Sequence, residues 1–391
     1  MDWIEEALAS LRQAGLWREL RAAGAPPAPE MVIDGRRVIQ FASNDYLCLA
    51  GDARLGEAAA EAARAAGTGS AASRLVLGSH EFVARLERRL AEFEHTEAAL
   101  VLPTGYMANL ALVTSLVGRG DAIFADRLCH ASIIDGIMLS GARLITFRHN
   151  DGGALDALLR RKTAFRRRLV VTESVFSMDG DIAPLKELAA LARAHGAMFA
   201  VDDAHATGVF GATGAGVAEE QGLQAGEITA TVGTLSKALG GLGGFIAAPR
   251  PVIDLLVNRA RPFVFSTGIP PAQAAVALAA LDVVRDEPER RRKLLETAAR
   301  LRGRLAALGL NIGASQSQIV PVILGDVERA VAASRALWQR GLLVPAIRPP
   351  SVPRGQSRLR ISLTCGHTSE HLGRLVECLG DVVSGTRQDC G

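Results

Sequence analysis

Lys237 stands out because the chain uses arginine for nearly all of its positive charge. Only four of the 44 basic residues are lysines, and the other three lie in charged or helical surroundings: Lys162, Lys186 and Lys293. Lys237 follows the hydroxyls of Thr234 and Ser236 and precedes four glycines in the segment TLSKALGGLGGF. A desolvated lysine in such a loop has a lowered pKa and can form a Schiff base. The pattern favours a nucleophilic amine over an ordinary surface lysine.

Asp202 ends the apolar run AMFAVD, so its carboxylate is expected at a strand end with little water around it. An unpaired charge in that position is costly, which calls for a cationic partner. A protonated pyridine nitrogen is one such partner, and His205, three residues on, could hydrogen-bond or stack near the same ring. An N-cap aspartate and a structural histidine are the simpler alternatives.

Thr104 and Gly105 follow the run AALVL and open a helical segment, where backbone N–H groups can bind an anion. An ordinary strand-to-helix turn is the alternative. A dinucleotide site is less well supported, because GTGSAA at 67–72 follows a helical pattern rather than a strand. An anion site, a strand-end aspartate, a histidine and a glycine-flanked lysine, in that order, favour pyridoxal phosphate as the cofactor.

These residues fall near the ends of short apolar runs that alternate with amphipathic segments. The seven runs, rich in β-branched residues, are 98–102, 121–125, 143–147, 168–172, 197–202, 229–233 and 244–248. Such alternation predicts an α/β fold whose seven-stranded sheet is mostly parallel. Ligands of open parallel sheets bind beyond the carboxyl ends of the strands, which is where Asp202 and Lys237 fall.

The remaining segments predict an arm and a second domain. The arm has a helix that reaches about Arg21 and a hairpin, MVIDGRRVIQFAS, that turns at Asp34 and Gly35. Short strands and helices after residue 310 predict a smaller C-terminal α+β domain. The predicted bounds are 1–50 for the N-terminal arm, 51–285 for the large cofactor-binding domain and 286–391 for the small C-terminal domain.

Composition narrows the class of protein. The 391 residues are 49% hydrophobic and 22% charged with a net charge of +3, which is typical of a globular protein rather than a disordered chain or a nucleic-acid binder. The five cysteines are odd in number and show no metal-ligand spacing, which favours a reducing compartment and no bound metal. With an acidic N-terminus and no apolar run of about 18 residues, we expect a cytoplasmic protein without a membrane partner.

Nine segments resemble, in family order, the α-oxoamine synthase family of pyridoxal-phosphate enzymes. They are SNDYL (43–47), GTGSAASR (67–74), PTGYMAN (103–109), DRLCHASI (126–133), TESVFSMDGDIAPL (172–185), VDDAHATG (201–208), TLSKALGG (234–241), FSTGIPPA (265–272) and IRPPSVPRGQSRLR (347–360). The resemblance covers nearly the whole chain and implies a type I aminotransferase-like fold. It also implies a homodimer whose active sites lie at the subunit interface.

The resemblance assigns roles to individual residues. Lys237 would hold the cofactor as a Schiff base, and Asp202 would pair with the ring nitrogen. The catalytic set also includes His130, stacked over the ring, and His205, which would lie near the ring hydroxyl with Ser177. The implied phosphate ligands are Gly105, Tyr106 and Thr234, with Ser266 and Thr267 of the partner subunit. The implied substrate-binding residues are Arg21, Asn44, His130, Ser351 and Arg360.

The segment IRPPSVP (347–353) most resembles family members that join L-alanine to a pimeloyl thioester, carried by coenzyme A or an acyl carrier protein, in biotin biosynthesis. The implied reaction is a decarboxylative condensation, in which the α-carbon of alanine attacks the thioester and the resulting β-keto acid loses carbon dioxide. A relative that condenses glycine with acetyl-CoA remains an alternative, and so does a non-catalytic cofactor-binding scaffold. The scaffold is disfavoured because the acid, base and Schiff-base residues are all present.

Overall fold

The computed structural model describes residues 2–224 and 226–388. Within them, the helices are α1 Asp2–Gln13, α2 Ala53–Ala66, α3 Glu81–Phe93, α4 Gly105–Leu116, α5 Ala131–Ser140, α6 Gly152–Arg161, α7 Leu185–Ala194, α8 Val217–Glu220, α9 Arg250–Arg259, α10 Arg261–Val264, α11 Pro271–Asp286, α12 Glu289–Ala307, α13 Val327–Gln339 and α14 Ser369–Gln388. The strands are β1 Glu30–Ile33, β2 Arg36–Gln40, β3 Ala98–Leu102, β4 Ala122–Asp126, β5 Arg143–Phe147, β6 Arg168–Glu173, β7 Met198–Asp202, β8 Ala230–Thr234, β9 Gly244–Ala248, β10 Ile319–Gly325, β11 Leu342–Leu343, β12 Ala346–Ile347 and β13 Ser357–Ser362.

The chain divides into two compact units. The large unit consists of Leu49–Phe176 and Ile182–Arg291. The small unit consists of the N-terminal segment up to Cys48, Ser177–Asp181 and the C-terminal segment from Arg292. The three domain bounds expected from the sequence stay predictions.

The large unit contains a seven-stranded sheet with the order β3-β9-β8-β7-β6-β4-β5. Parallel pairing joins β5 to β4, β4 to β6, β6 to β7 and β7 to β8. The strand β9 pairs antiparallel with both of its neighbours, β8 and β3, so it runs against the other described strands of this sheet. The predicted α/β fold with a mostly parallel sheet is confirmed, and each strand lies within one residue of its predicted run.

Helices keep this sheet away from water. The strands β3, β4, β8 and β9 are buried at every residue, as expected where both faces of a sheet are covered. The apolar helix α4 contributes Leu112 and Val113 to a core that also holds Ile123, Val171 and Ile246. Burying each of these side chains stabilises the fold by roughly 1.5–3 kcal/mol. Across residues 2–224 and 226–388, no helix has the length and apolar character needed to cross a membrane.

The small unit contains two three-stranded sheets, with the orders β1-β2-β11 and β10-β13-β12. The predicted hairpin is present as β1 and β2, and its two-residue turn has positive φ at Asp34 (51°) and Gly35 (75°). Two positive φ values are typical of the type I′ turn, whose twist matches that of the paired strands. In the second sheet, β13 pairs antiparallel with both β10 and β12.

The first helix is shorter than the sequence predicts. It ends at Gln13 rather than near Arg21. Gly15 adopts a φ of 65°, and the N–H of Leu16 donates to the carbonyl oxygen of Leu11 at 2.8 Å. This left-handed glycine ends the helix. It lets the N–H of Leu16 bond to the Leu11 carbonyl, which in a continuing helix would accept from residue 15.

Candidate active site

A cavity of about 230 Å³ lies at the carboxyl ends of the parallel strands in the large unit. The strands β3, β4, β6, β7 and β8 each lead into residues that line it. The cavity brings together seven of the predicted site residues: Gly105, Tyr106, His130, Asp202, His205, Thr234 and Lys237. Its other lining residues are Thr104, Asn109, Ser132, Glu173, Ala204, Val232 and Ser236.

Asp202 is 7% exposed at the end of β7. One carboxylate oxygen, Oδ2, accepts a hydrogen bond from Nδ2 of Asn109 at 2.6 Å, and Oδ1 accepts one from the N–H of Ala204 at 3.0 Å. Both neighbours are donors, so each of the two carboxylate oxygens accepts one hydrogen bond from the protein. The remaining lone pairs of a carboxylate can accept a further proton donor from the cavity.

His130 forms the N-cap of α5, on the loop that follows β4. Its Nδ1 accepts a hydrogen bond from the backbone N–H of Ser132 at 3.2 Å and lies 2.8 Å from the Ser132 hydroxyl. A backbone N–H can only donate, so Nδ1 carries no proton and the neutral ring is protonated at Nε2. Burial lowers the pKa of His130, with the charge on Lys237 also lowering it and that on Asp202 opposing the shift. The ring is therefore neutral at physiological pH.

The part of the cavity at the N-terminus of α4 suits an anion. Helix α4 begins at Gly105, and the Thr104 hydroxyl accepts a hydrogen bond from the N–H of Met107 at 3.1 Å, which fixes the first turn. A Cβ on Gly244 would lie 2.5 Å from the Gly105 Cα, so β9 can approach this helix end only because residue 244 is glycine. The Thr234 hydroxyl lies 2.8 Å from that of Ser236, next to the same helix end. Orphan N–H groups and hydroxyls together bind phosphate well.

Lys237 is half-buried in a tight turn after β8. The N–H of Gly240 donates to the Lys237 carbonyl at 3.0 Å, and Gly240 has a φ of 65°. A Cβ on Gly240 would lie 2.6 Å from the backbone nitrogen of Ala50, so this position excludes any larger residue. The glycines after Lys237 therefore set the path of the turn that presents the amine.

Two of the predicted phosphate ligands do not line this cavity. Ser266 and Thr267 belong to the large unit, where Thr267 is exposed and forms an isolated β-bridge with Ser73. Their assignment to the partner subunit's cofactor stays a prediction. Tyr106 lines the cavity but is 44% exposed, and its hydroxyl donates to Asp135.

Ser177, Asn44 and Arg360 come together in the small unit. The Arg360 Nε donates to the Ser177 carbonyl at 2.6 Å, and both of its terminal nitrogens lie 3.2 Å from Oδ1 of Asn44. Arg360 is only 5% exposed, so these bonds fix the guanidinium in place. Arg21 and Ser351 make other contacts: Arg21 stacks 3.9 Å over the Trp338 ring, and the N–H of Ser351, which is exposed in a turn, donates to the Arg348 carbonyl at 3.1 Å.

Asn109 and Ser132 are site residues that were not predicted from the sequence, although both lie within motifs that carry the family resemblance. Asn109 is 4% exposed and Ser132 is fully buried, and the Asn109 Nδ2 donates to the Ser132 hydroxyl at 2.9 Å. A polar amide inside the apolar segment GYMANLALVTSL is the signal that could have identified Asn109, because buried polar groups almost always have partners.

The donor set of the cavity matches each part of pyridoxal phosphate. The N-terminus of α4 and the Thr234 hydroxyl suit its phosphate, the buried carboxylate of Asp202 suits a protonated ring nitrogen, and the amine of Lys237 suits its aldehyde. The neutral ring of His130 offers an apolar face for stacking. These residues therefore fit this cofactor.

Comparisons with known proteins agree with this chemistry. The family described as aminotransferase class I and II matches residues 36–379. The 8-amino-7-oxononanoate synthase of Anaeromyxobacter dehalogenans is 49% identical over 383 residues, covering 98% of this chain and 96% of that protein. A lysine-to-alanine variant of serine palmitoyltransferase from S. paucimobilis, solved with a bound pyridoxal phosphate–myriocin aldimine, matches with a TM-score of 0.92 at 35% identity, covering 98% of this chain and 97% of that one.

A crystal structure of 8-amino-7-oxononanoate synthase from Francisella tularensis matches with a TM-score of 0.79 at 27% identity, covering 90% of this chain and 99% of that one. The resemblance predicted from the motifs is confirmed by these matches. The chain belongs to the class I and II aminotransferase family of pyridoxal-phosphate enzymes.

Proposed function

We propose that the enzyme condenses L-alanine with a pimeloyl thioester to give 8-amino-7-oxononanoate, carbon dioxide and the free thiol carrier, a step of biotin biosynthesis. The observation that carries this proposal is the 49% identity to an 8-amino-7-oxononanoate synthase over nearly the whole chain. The serine palmitoyltransferase structure is a close structural match at lower identity, 35%, so its name describes the chemistry of the wider family rather than this substrate pair.

Bound pyridoxal phosphate supplies an electron sink that stabilises negative charge at the α-carbon of the amino acid. Lys237 would supply the amine that holds the cofactor, and the same amine would move a proton at that carbon. The turn fixed by Gly240 keeps this amine beyond the carboxyl end of β8, where Lys237 lines the cavity. Positioning of this kind accounts for much of the rate that an enzyme gains over solution.

Asp202 would pair with the protonated ring nitrogen through its negative charge, and two accepted hydrogen bonds hold its buried carboxylate in place for that role. A charge that is fixed in advance stabilises the reaction without costly reorganisation. His130 presents a neutral ring, since burial lowers its pKa and Ser132 fixes its tautomer. A neutral ring avoids placing a second positive charge beside the protonated cofactor.

The remaining assignments rest on the family resemblance. His205 and Ser177 near the ring hydroxyl, and Arg21, Asn44, Ser351 and Arg360 as substrate ligands, stay predictions. Arg360 suits the carboxylate of an amino acid because a guanidinium can bind it with two parallel hydrogen bonds. The homodimer, the cytoplasmic location and the choice between coenzyme A and acyl carrier protein as thiol carrier also stay predictions.

The proposal is tested by the product. Purified protein is incubated with L-alanine and pimeloyl-CoA, with L-alanine and a pimeloyl-carrier protein, with glycine and acetyl-CoA, and with L-serine and palmitoyl-CoA. Mass spectrometry of each reaction identifies the product, and Lys237→Ala is the inactive control. We expect alanine with a pimeloyl thioester to give the highest kcat/KM, together with release of carbon dioxide.

Each alternative predicts its own outcome. A pocket distinguishes a single methyl group by only about 1–3 kcal/mol, so glycine should show weak activity rather than none. If glycine with acetyl-CoA, or serine with palmitoyl-CoA, is the better pair by about tenfold or more, the named function is wrong. Absence of turnover with every pair, in a protein that binds the cofactor, would favour the scaffold.

A further inference from the structure

Four groups that line the cavity form one continuous chain of hydrogen bonds. Asp202 Oδ2 accepts from Asn109 Nδ2 at 2.6 Å, and the same nitrogen donates to the Ser132 hydroxyl at 2.9 Å. The Ser132 hydroxyl lies 2.8 Å from Nδ1 of His130. Asp202, Asn109 and Ser132 are each less than a tenth exposed, so water competes little for these bonds.

We propose that Asn109 and Ser132 are positioning residues that couple the carboxylate of Asp202 to the tautomer of His130. The inference rests on the proposed function only for the roles of Asp202 and His130 toward the cofactor. The chain itself is a property of the protein.

The direction of donation along the chain follows from the groups present. A carboxylate cannot donate, so the Asn109 amide must present its NH₂ group to Asp202, and that group carries one hydrogen for Asp202 and one for Ser132. The Ser132 hydroxyl therefore accepts a hydrogen bond from Asn109 and donates one to Nδ1 of His130. This donation adds to the one from the Ser132 backbone N–H, and both stabilise His130 in the form protonated only at Nε2.

Three charged groups act on His130 as well. Asp202 and Asp135 favour its protonated form and Lys237 disfavours it. Without Asn109, the Ser132 hydroxyl could rotate and accept a hydrogen bond from a protonated ring. Removing either Asn109 or Ser132 should therefore raise the pKa of His130. The effect of removing Asn109 should be transmitted through the Ser132 hydroxyl, which links the two residues in the chain.

The test follows the ¹⁵N signals of His130 by NMR in full-length, cofactor-bound protein labelled at histidine. The signals are assigned by their loss in His130→Gln, and they are titrated in the wild type, Asn109→Ala, Ser132→Ala and the double variant. We expect the Nε2–H tautomer in the wild type, and an apparent pKa raised by about half a pH unit or more in each single variant. The double variant should match the larger single effect, because both substitutions break the same chain.

Ser115→Ala is the matched control, because Ser115 is a fully buried hydroxyl on the same helix as Asn109 and lies outside the chain. It should leave the titration of His130 unchanged. Any of three results would overturn the proposal: an Nδ1–H tautomer in the wild type, a pKa of His130 in Asn109→Ala equal to that of the wild type, or pKa shifts that add in the double variant. Since the NMR readout needs no substrate, a failure of the proposed alanine reaction would leave this result standing.

Discussion

The Nδ2 atom of Asn109 lies 2.6 Å from Oδ2 of Asp202, although 93 positions separate the two residues in the chain. The contact joins the first turns of α4 to the carboxyl end of β7. Together with the N–H of Ala204, it surrounds the Asp202 carboxylate with donors. The protein therefore requires an acceptor with two oxygens at this position.

Asp202→Asn should destabilise the protein for this reason, and it should also slow the reaction because the charge is lost. An amide at residue 202 must turn its NH₂ group toward one of two existing donors, which should lower the free energy of unfolding by about 1–3 kcal/mol. Loss of the charge should slow exchange of the alanine α-proton into heavy water by about 10²-fold or more. Asp254→Asn, an exposed aspartate on α9, is the control and should exchange at the wild-type rate. Wild-type exchange in Asp202→Asn would contradict the assigned role.

The strands and the strand-end position of Asp202 could be predicted from sequence because their signal is local. Runs such as AALVL and GFIAA are bounded by turn residues, and their composition alone marks them as buried strands. The turn at Asp34 and Gly35 is equally local.

The partners of the site residues could not be predicted, because they depend on how distant segments pack. Nothing near Asn109 in the sequence indicates that the rotation of α4 points its amide at Asp202. The antiparallel course of β9 is also a non-local choice, and it decides that Gly244 meets the first turn of α4. The early end of α1 could not be predicted, because a glycine within a helical pattern is compatible both with the interior of a helix and with its C-terminal cap.

Lys237→Ala should abolish the borohydride-reducible link between protein and cofactor. The half-buried lysine is the one amine among the residues that line the cavity in the described chain. After reduction and digestion, mass spectrometry of the wild type should find the pyridoxyl group on the peptide that contains TLSK. Lys186→Ala, which removes an exposed lysine on α7, should keep the link and the yellow colour. A pyridoxyl group on any other lysine would show that Lys237 is not the attachment site.

Gly244→Ala should damage the anion-binding end of the cavity. Its new Cβ would lie 2.5 Å from Gly105, so the first turn of α4 must move. We expect cofactor affinity to fall by about tenfold or more, because a small displacement of a binding group is costly. The control is Gly303→Ala in α12, where no atom lies within 4 Å of the new Cβ. It should raise the free energy of unfolding by about 0.5–1 kcal/mol, since alanine favours a helix. Equal cofactor affinity in the two variants would contradict this account.

His367 should make the protein less stable in mild acid. It is 2% exposed, stacks 4.6 Å from Phe41, and its Nε2 donates to the Gln40 carbonyl at 2.8 Å while Nδ1 accepts from the N–H of Thr364 at 2.9 Å. Both hydrogen bonds suit the neutral ring, and burial lowers the pKa of His367 to about 4. The unfolded chain binds this proton near pH 6.5, so its share of stability is complete above that pH and is lost as the pH falls toward 4.

The size of this effect follows from the two pKa values. A proton bound only by the unfolded chain changes the free energy of unfolding by about 1.4 kcal/mol per pH unit, or about 3 kcal/mol between pH 6.5 and pH 4. Urea unfolding measured at steps between those values should show this slope in the wild type and lose it in His367→Gln, even though that variant starts from a lower stability. His95→Asn is the control, because His95 is exposed and has a positive φ of 54° that asparagine tolerates. If His367→Gln keeps the wild-type slope, the acid sensitivity arises from other groups and His367 is not buried in its neutral form.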